Sequence, residues 1–300
     1  MNSIISFPDR GPYGKSSYRG NCSGYVQKAL FEQFKSREVT DPMAGSYTTR
    51  DVCDEMGIIS HCYDLSMGFN AVTDEVPEEA CASDTWFWHP PYSEVIGIPY
   101  AGSMWSSENF EKSFGYNPEP YDLGRMPWPK FVKTMNECLM KFYQSMDTGA
   151  RMCVLMGDIK KKGRLYSMLS EIVKPGHLEN IVIKAQHNCV SDGRTYSGSF
   201  IPIVHEYIMI LKKPSAYEME IILPHNYNVD IRDSKTSTWR DVVYAALKTL
   251  NGKCSLDELY EEIGGHKKTE ANPHWREKIR QTLQSYKMFN SPERGVWQLS

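Results

Sequence analysis

Glu38-Val39-Thr40-Asp41-Pro42-Met43-Ala44-Gly45-Ser46-Tyr47-Thr48-Thr49 is the stretch on which the fold turns. Its first three residues carry a β-strand signal that runs into a turn with Gly45 at its centre. A helix follows, with Val52 and Met56 on its apolar face and Gly57 as its stop. Ile58 to Tyr63 reads as a second strand, and Asp64 comes directly after it. A strand, a glycine turn, a helix and an acid about twenty residues on at the next strand's end form the layout by which a doubly wound sheet holds a nucleoside. The glycine lets the backbone approach the ligand, and the carboxylate suits ribose hydroxyls. Three spaced glycines are lacking, so a dinucleotide fingerprint fits poorly.

Further on, Asp84-Thr-Trp-Phe-Trp88 is an aromatic strand ending in His89-Pro90-Pro91-Tyr92. Two consecutive prolines lock φ and offer no N–H, so this turn is rigid. It is expected to aim carbonyls and the His89 side chain into a cleft and to present Tyr92 as a flat stacking surface. That geometry suits an exocyclic amine held against an aromatic face. An incidental proline-rich turn is the bland alternative, and it loses weight because the Gly45 turn lies some 45 residues upstream.

Other segments fill out the same domain. Trp128, Phe131, Val132, Met135, Leu139, Phe142 and Met146 recur at helical spacing and predict a helix packed on the sheet. Met152–Met156 and Asn180–Lys184 read as strands. Lys160 to Lys162 form a charge cluster that reads first as solvated, with phosphate tracking as the alternative. His187 and His205 read as structural.

Length and composition set the frame. The 300 residues suffice for one large α/β domain, or a medium domain plus a small one. With 41% apolar and 24% charged residues, disordered and collagen-like classes are excluded. No apolar run reaches the roughly 18 residues of a membrane span, and residues 1–7 lack a signal-peptide pattern. The eight Cys are scattered without a Cys-x-x-Cys pair, so a reduced, cytoplasmic protein without structural zinc is expected. The net charge of −3 argues against a surface coated in basic residues. It is unevenly spread, however: residues 235–300 carry 11 basic and 8 acidic side chains, while residues 1–234 carry 23 and 29.

That basic tail reads clearly. Thr238 caps a helix bearing Val242, Val243, Ala246, Leu247 and Leu250. Ser255-Leu-Asp-Glu258 is a capping box for a second helix, and Asn272-Pro273 starts a third. A turn-rich segment and a strand-like stretch end the chain. Three helices followed by a β-wing predict a winged helix whose third helix shows Arg276, Arg280, Gln281 and Gln284, residue types that read phosphates and base edges. A protein contact, or a merely solvated face, is the competing reading. Asn272 to Leu283 resembles the small winged-helix modules attached to restriction and modification proteins.

The larger part resembles the amino-methylating DNA methyltransferases that use S-adenosylmethionine. Asp41-Pro-Met-Ala-Gly-Ser-Tyr-Thr-Thr49 is similar to their cofactor loop, and His89-Pro-Pro-Tyr92 to their catalytic tetrapeptide. Phe7 to Asn21 resembles the segment that closes over the cofactor's methionine end. Val154 to Asp158 and His205 to Lys213 resemble later strands of the same sheet. The resemblance spans residues 6–213 and implies a Rossmann-like α/β sheet with helices on both faces. With the polar stretch 230–238 that separates the acidic and basic parts, it gives a methyltransferase domain over 1–213, a linker over 214–235 and the winged helix over 236–300.

It further implies that Tyr18, Arg19, Gly20 and Asn21, with Asp41, Pro42, Ala44, Gly45, Ser46 and Thr48, hold the cofactor's methionine part, and that Asp64 and Leu65 hold its nucleoside. Duplex DNA is the implied partner. It would be bound by the winged helix and by the polar loop Gln186–Tyr196, Arg194 included, with the target base flipped into the cleft. No metal and no membrane are implied, and a homodimer or a cognate restriction enzyme stays open as a further partner. Tyr92 would stack on the base, while His89 and the Pro90 carbonyl would orient the amine beside Pro91. Adenine N6 is the preferred target; cytosine N4, an RNA base, a protein glutamine, or a degenerate non-catalytic DNA-binding role are the alternatives. Two residues depart from the family pattern. Tyr47 stands where a glycine is usual, placing a bulky side chain near the cofactor, and His89 stands where Asp, Asn or Ser is usual. A neutral imidazole still offers one acceptor nitrogen. Activity is therefore expected to fall on acidification through the imidazole pKa, and a flat profile down to pH ~5.5 would contradict that role.

Overall fold

The computed structural model describes residues 1–18, 20–97, 115–187, 199–214, 219–224, 237–270 and 272–300. The chain divides into two units, Met1–Pro224 and His225–Ser300. The boundary lies inside the stretch 214–235 read as a linker. Ile221–Ile222 of that stretch (strand β11) nevertheless pair with Pro175 and Lys174, and so belong to the first unit.

In the first unit the strands β1 (Ile4–Ser6), β2 (Glu38–Asp41), β3 (Ile59–Cys62), β4 (Thr85–Trp88), β5 (Arg151–Met156), β9 (His177–Ala185) and β10 (His205–Lys212) form one sheet in the order β1-β9-β10-β5-β4-β2-β3. Every neighbour pair is parallel except those made by β10, which runs against both β9 and β5. Between β5 and β9 lie the hairpin of β6 (Ile159–Lys161) and β7 (Arg164–Tyr166) and the two-residue β8 (Lys174–Pro175). This is a mixed α/β architecture with a mostly parallel central sheet flanked by helices, compatible with a Rossmann-like fold.

The central strands are apolar on both sides because both faces are covered. Along β5, Met152, Val154 and Met156 join one core, while Cys153 and Leu155 join the other. β4 divides in the same way, Trp86 and Trp88 to the first core and Phe87 to the second. The helices α1 (Gly24–Phe34) and α2 (Thr48–Met56) cover the second face through Val26, Leu30, Phe31, Val52 and Cys53. After the short α3 (Glu78–Cys81), the long helix α4 (Trp128–Ser145) covers the first with Phe131, Met135, Leu139 and Phe142. Its Pro129 occupies a first-turn position, where no N–H is missed.

The second unit holds α6 (Trp239–Thr249), α7 (Leu256–Ile263), the short α8 (Lys267–Glu270) and α9 (Trp275–Ser285), numbered after a four-residue α5 (Met168–Glu171) in the first unit. With them is an antiparallel sheet in the order β12 (Lys253–Ser255), β14 (Val296–Leu299), β13 (Phe289–Glu293). The Thr238 hydroxyl accepts the Asp241 N–H, and Ser255 and Glu258 form the capping box. Helix α9 starts at Trp275, three residues later than Asn272. The Asn272 side chain instead accepts the His274 N–H at 2.9 Å in a turn ahead of the helix. Strand β12, which sequence patterning missed, gives this sheet its third member.

Candidate functional site

Three strand ends build the site. The chain passes from β2 outward to β3 and then returns past β2 to β4, so its direction of travel across the sheet reverses at β2. Open α/β sheets hold ligands outside the carboxyl ends of their strands at such a reversal. A cavity of about 980 Å³, its open mouth included, lies there, and the loops after all three strands line it with Gly45, Asp64 and His89 among others.

The Gly45 turn is shaped from within. Asp41 is buried at the end of β2; one of its oxygens accepts the Met43 N–H at 3.1 Å and the other the Thr49 hydroxyl. Burial pushes its carboxyl up to about 7, and the hydrogen bonds oppose that rise. The Gly45 N–H donates to Asp64 at 3.0 Å, and the other Asp64 oxygen accepts the Ser66 N–H and hydroxyl at 2.9 and 2.5 Å. Gly45 has φ +52°, and a Cβ there would come within 3.0 Å of the Tyr18 ring. Only glycine permits both the left-handed backbone and the close ring.

The N-terminal segment forms the opposite wall through Tyr18, Gly20, Asn21 and Cys22. It is anchored at several points: Tyr13 is buried and its hydroxyl donates to Glu55, the Gly14 N–H donates to Asp51 at 2.7 Å, and Asn21 accepts the Thr48 hydroxyl. A Cβ at Gly14 (φ +61°) would meet Thr48 Oγ1 at 2.3 Å and Ser46 Oγ at 2.7 Å, so the segment docks only with glycine there.

Of the residues expected from the sequence to bind the cofactor, Tyr18, Gly20, Asn21, Asp41, Ala44, Gly45, Ser46, Thr48, Asp64 and Leu65 line the cavity. Pro42 is buried and does not line the cavity. Arg19 and Arg194 lie outside the described residues, as do residues 188–196 of the polar loop. Tyr47 is the second departure from expectation. It caps α2 at φ +65°, the left-handed backbone for which a glycine would be suited, and its ring carries the Arg50 guanidinium at 4.2 Å instead of lining the cavity.

His89, Pro90 and Pro91 are on the wall, with His89 half-buried. Burial drops the imidazole from its ordinary 6.5 to about 4, opposed by the charge of Glu206. Tyr92 does not stand out as a stacking surface. It is 7% exposed, packs into the core against the sheet and does not line the cavity. Its hydroxyl donates to Glu206 at 2.7 Å, and Lys184 bonds the other Glu206 oxygen at 2.6 Å. Burial pushes the Glu206 carboxyl up, but the charge of Lys184 and the hydrogen bonds from Lys184 and Tyr92 oppose this, and the carboxyl lies below the ordinary carboxylate range.

Sequence reasoning missed Glu206 and Lys184, although opposite charges bordering the apolar runs 181–183 and 207–211 were a usable signal. It also missed Gln27. This residue lies on the buried face of α1, is 2% exposed and lines the cavity, and its Oε1 has no hydrogen-bond partner among the described residues. A buried acceptor left open on a cavity wall is an invitation to a ligand donor. Asn70, likewise buried on the wall, accepts the Val72 N–H at 3.1 Å.

In the second unit Arg276, Arg280, Gln281 and Gln284 all lie exposed on α9. Arg276 stacks over Trp275 and Tyr260 at 5.1 and 5.4 Å, Arg280 pairs with Glu277 at 3.4 Å, and Gln281 accepts from Lys278 at 2.9 Å. Among the described residues no His, Cys, Asp and Glu group is placed to hold a metal ion, and no helix is long and apolar enough to cross a membrane. No known protein family matches the chain, and no curated protein matches it significantly.

Proposed function

We propose that the protein is an S-adenosylmethionine-dependent methyltransferase acting on the exocyclic amine of adenine in duplex DNA. The observation that carries this reading is the convergence of the Gly45 turn, Asp64 and the His89-Pro90-Pro91 turn on one cavity at the reversal point of the sheet. The donor set suits the cofactor: a carboxylate beside a glycine cradle for the ribose, and the open Gln27 acceptor with Asn21 facing the methionine end. When bound, S-adenosylmethionine supplies an electrophilic sulfonium methyl group.

The chain's own contribution is positional. Holding two reactants in line removes much of the barrier to a displacement. His89, whose imidazole is neutral at pH 7, accepts one hydrogen of the amine, and the Pro90 carbonyl accepts the other. Tyr92 braces this turn from behind through Glu206. The C-terminal unit is read as a winged helix that engages the duplex through Arg276, Arg280, Gln281 and Gln284, and the target base flips out of the stack into the cavity.

Expression in a bacterium devoid of DNA methylation, followed by modification-sensitive sequencing, tests the reading. N6-methyladenine at a recurring motif is expected. Methylcytosine at N4 would reassign the base, and unmodified DNA from a well-expressed, cofactor-binding protein would refute the assignment.

A further inference from the structure

The β6–β7 hairpin has no part in the cavity wall, yet it stands beside it. It leaves the sheet just after β5 through Gly157 and Asp158, on the same carboxyl edge as the catalytic turn. A Cβ at Gly157 would lie 3.1 Å from the Tyr92 hydroxyl. Strand β6 packs against the turn Glu94–Ile96, two residues beyond Tyr92, and Lys161 Nζ would be 3.8 Å from a Cβ at Gly97.

The hairpin's base is anchored and its tip is charged. Ile159 is buried in the core, and its cross-strand partner Tyr166 packs edge-on against Trp128 at 5.2 Å between ring centres. The tip reads Lys160-Lys161-Lys162-Gly163-Arg164, with Lys162 at φ +50° and Gly163 at φ +77° making the two-residue turn. Residues 161–164 are all exposed. Lys160 donates to the Ile201 carbonyl at 3.2 Å and lies over the Phe200 ring, and Arg164 lies over the Tyr166 ring.

This arrangement works against the hairpin's own stability. Lys161 sits directly opposite Arg164 in the ladder, and like charges facing each other across strands are destabilising. Among the described residues no carboxylate forms an ion pair with Lys161, Lys162 or Arg164. The part of the chain that holds them, residues 1–234, is acidic overall, with 29 acidic against 23 basic side chains, so partners could have been supplied. A self-repelling basic tip beside the site fits a polyanion that passes the cavity mouth.

We propose that the β6–β7 hairpin grips the phosphodiester backbone of duplex DNA beside the flipped base, through Lys161, Lys162 and Arg164. The inference rests on the methyltransferase reading of the adjacent cavity. Phosphate contacts of this kind fix register on the duplex without reading its sequence. They hold the strand next to the vacated base position while the C-terminal unit supplies other contacts.

The test measures binding of the full-length protein to a fluorescein-labelled DNA duplex of random sequence by anisotropy across a salt series. The triple variant Lys161→Gln, Lys162→Asn, Arg164→Gln keeps a residue tolerant of the left-handed turn at position 162. Each phosphate contact contributes about 0.9 to the slope of log affinity against log salt, so the variant slope should be shallower by roughly 2–3. Calorimetric affinity for S-adenosylhomocysteine should stay unchanged, which also reports that the fold is intact. The single variant Lys161→Gln, expected to lower the slope by about 0.9, gives the same readout with the least perturbation. An unchanged slope in both variants overturns the hairpin's role and leaves the methyltransferase reading standing. A wild-type protein that binds S-adenosylhomocysteine but no duplex removes DNA as substrate, and the hairpin inference with it.

Discussion

The Tyr92 hydroxyl donates to Glu206 Oε1 at 2.7 Å, joining the end of the His89-Pro90-Pro91 turn to a strand 114 residues away. This bond gives the tyrosine a job that its ring alone would not have. Tyr92→Phe is expected to lower stability by about 1.5–3 kcal/mol, the range for a hydrogen bond to a charged group, and to reduce methyl transfer by loosening the turn. Urea denaturation alongside a labelled-methyl assay checks this. A phenylalanine variant with unchanged stability and full activity would mean that the ring, and not the hydroxyl, matters.

Glu206 and Lys184 are nearly buried together, with side chains 9% and 12% exposed. Removing one partner strands the other charge in the interior. Glu206→Ala should cost about 3–5 kcal/mol. The double variant Glu206→Ala, Lys184→Met should recover much of that loss, because no uncompensated charge remains. Thermal melts of the two single variants and the double form the cycle that measures the coupling.

The burial of His89 moves the expected acid limb. With the folded imidazole lowered to about 4, His89 stays neutral well below the ordinary 6.5, so its acceptor nitrogen persists. If the proposed methyltransferase reading holds, this group leaves the methyl-transfer rate level from pH 7 to 5, with the loss centred near 4, in place of the fall through 6.5 expected from sequence. Stability follows the same sign. Between 6.5 and about 4 the unfolded chain takes up a proton that the folded chain refuses, so the His89 contribution falls as the pH falls through that window. An NMR titration of the His89 ring protons reads the value directly, and a midpoint near 6.5 would contradict it.

Gly14→Ala tests the docking of the N-terminal segment. The added methyl meets Thr48 and Ser46 oxygens at 2.3 and 2.7 Å on a backbone at φ +61°. Cofactor affinity should fall at least about tenfold, since a displacement of the wall costs 1.4 kcal/mol or more. Global stability should fall less, because the sheet core lies elsewhere. Calorimetric titration with S-adenosylhomocysteine, paired with a denaturation curve, separates the two effects.

Tyr47→Gly should leave cofactor affinity unchanged, since the Tyr47 ring packs with Arg50 and not on the cavity wall. Relief of the left-handed backbone, worth ~1–3 kcal/mol, is set against lost stacking with Arg50 and added chain entropy of ~0.5–1 kcal/mol each. The net stability change is therefore small. A marked gain in cofactor affinity would show that the tyrosine does obstruct the site.

Features carried by neighbouring residues were legible in the sequence. The strand–glycine turn–helix of residues 38–57, the helix built on Phe131, Met135, Leu139 and Phe142, and the caps at Thr238 and Ser255 follow from periodicity and from side chains bonding nearby backbone. So did most of the cavity wall, because Ala44, Gly45, Asp64 and His89 each follow a strand end. The order of the strands, and with it the reversal at β2 that puts three of those ends around one cavity, was settled only by the packed sheet. The direction of Tyr92 was settled in the same way: its partner Glu206 lies on a strand that sequence proximity does not connect to it, and a hydrogen bond to a buried, Lys184-paired carboxylate outweighs exposure of the ring. The left-handed Tyr47 turned toward Arg50, and Gln27 left with an open acceptor, have the same origin. Local chemistry chooses elements and turns, whereas the orientation of a side chain depends on which distant charge or ring the fold brings against it.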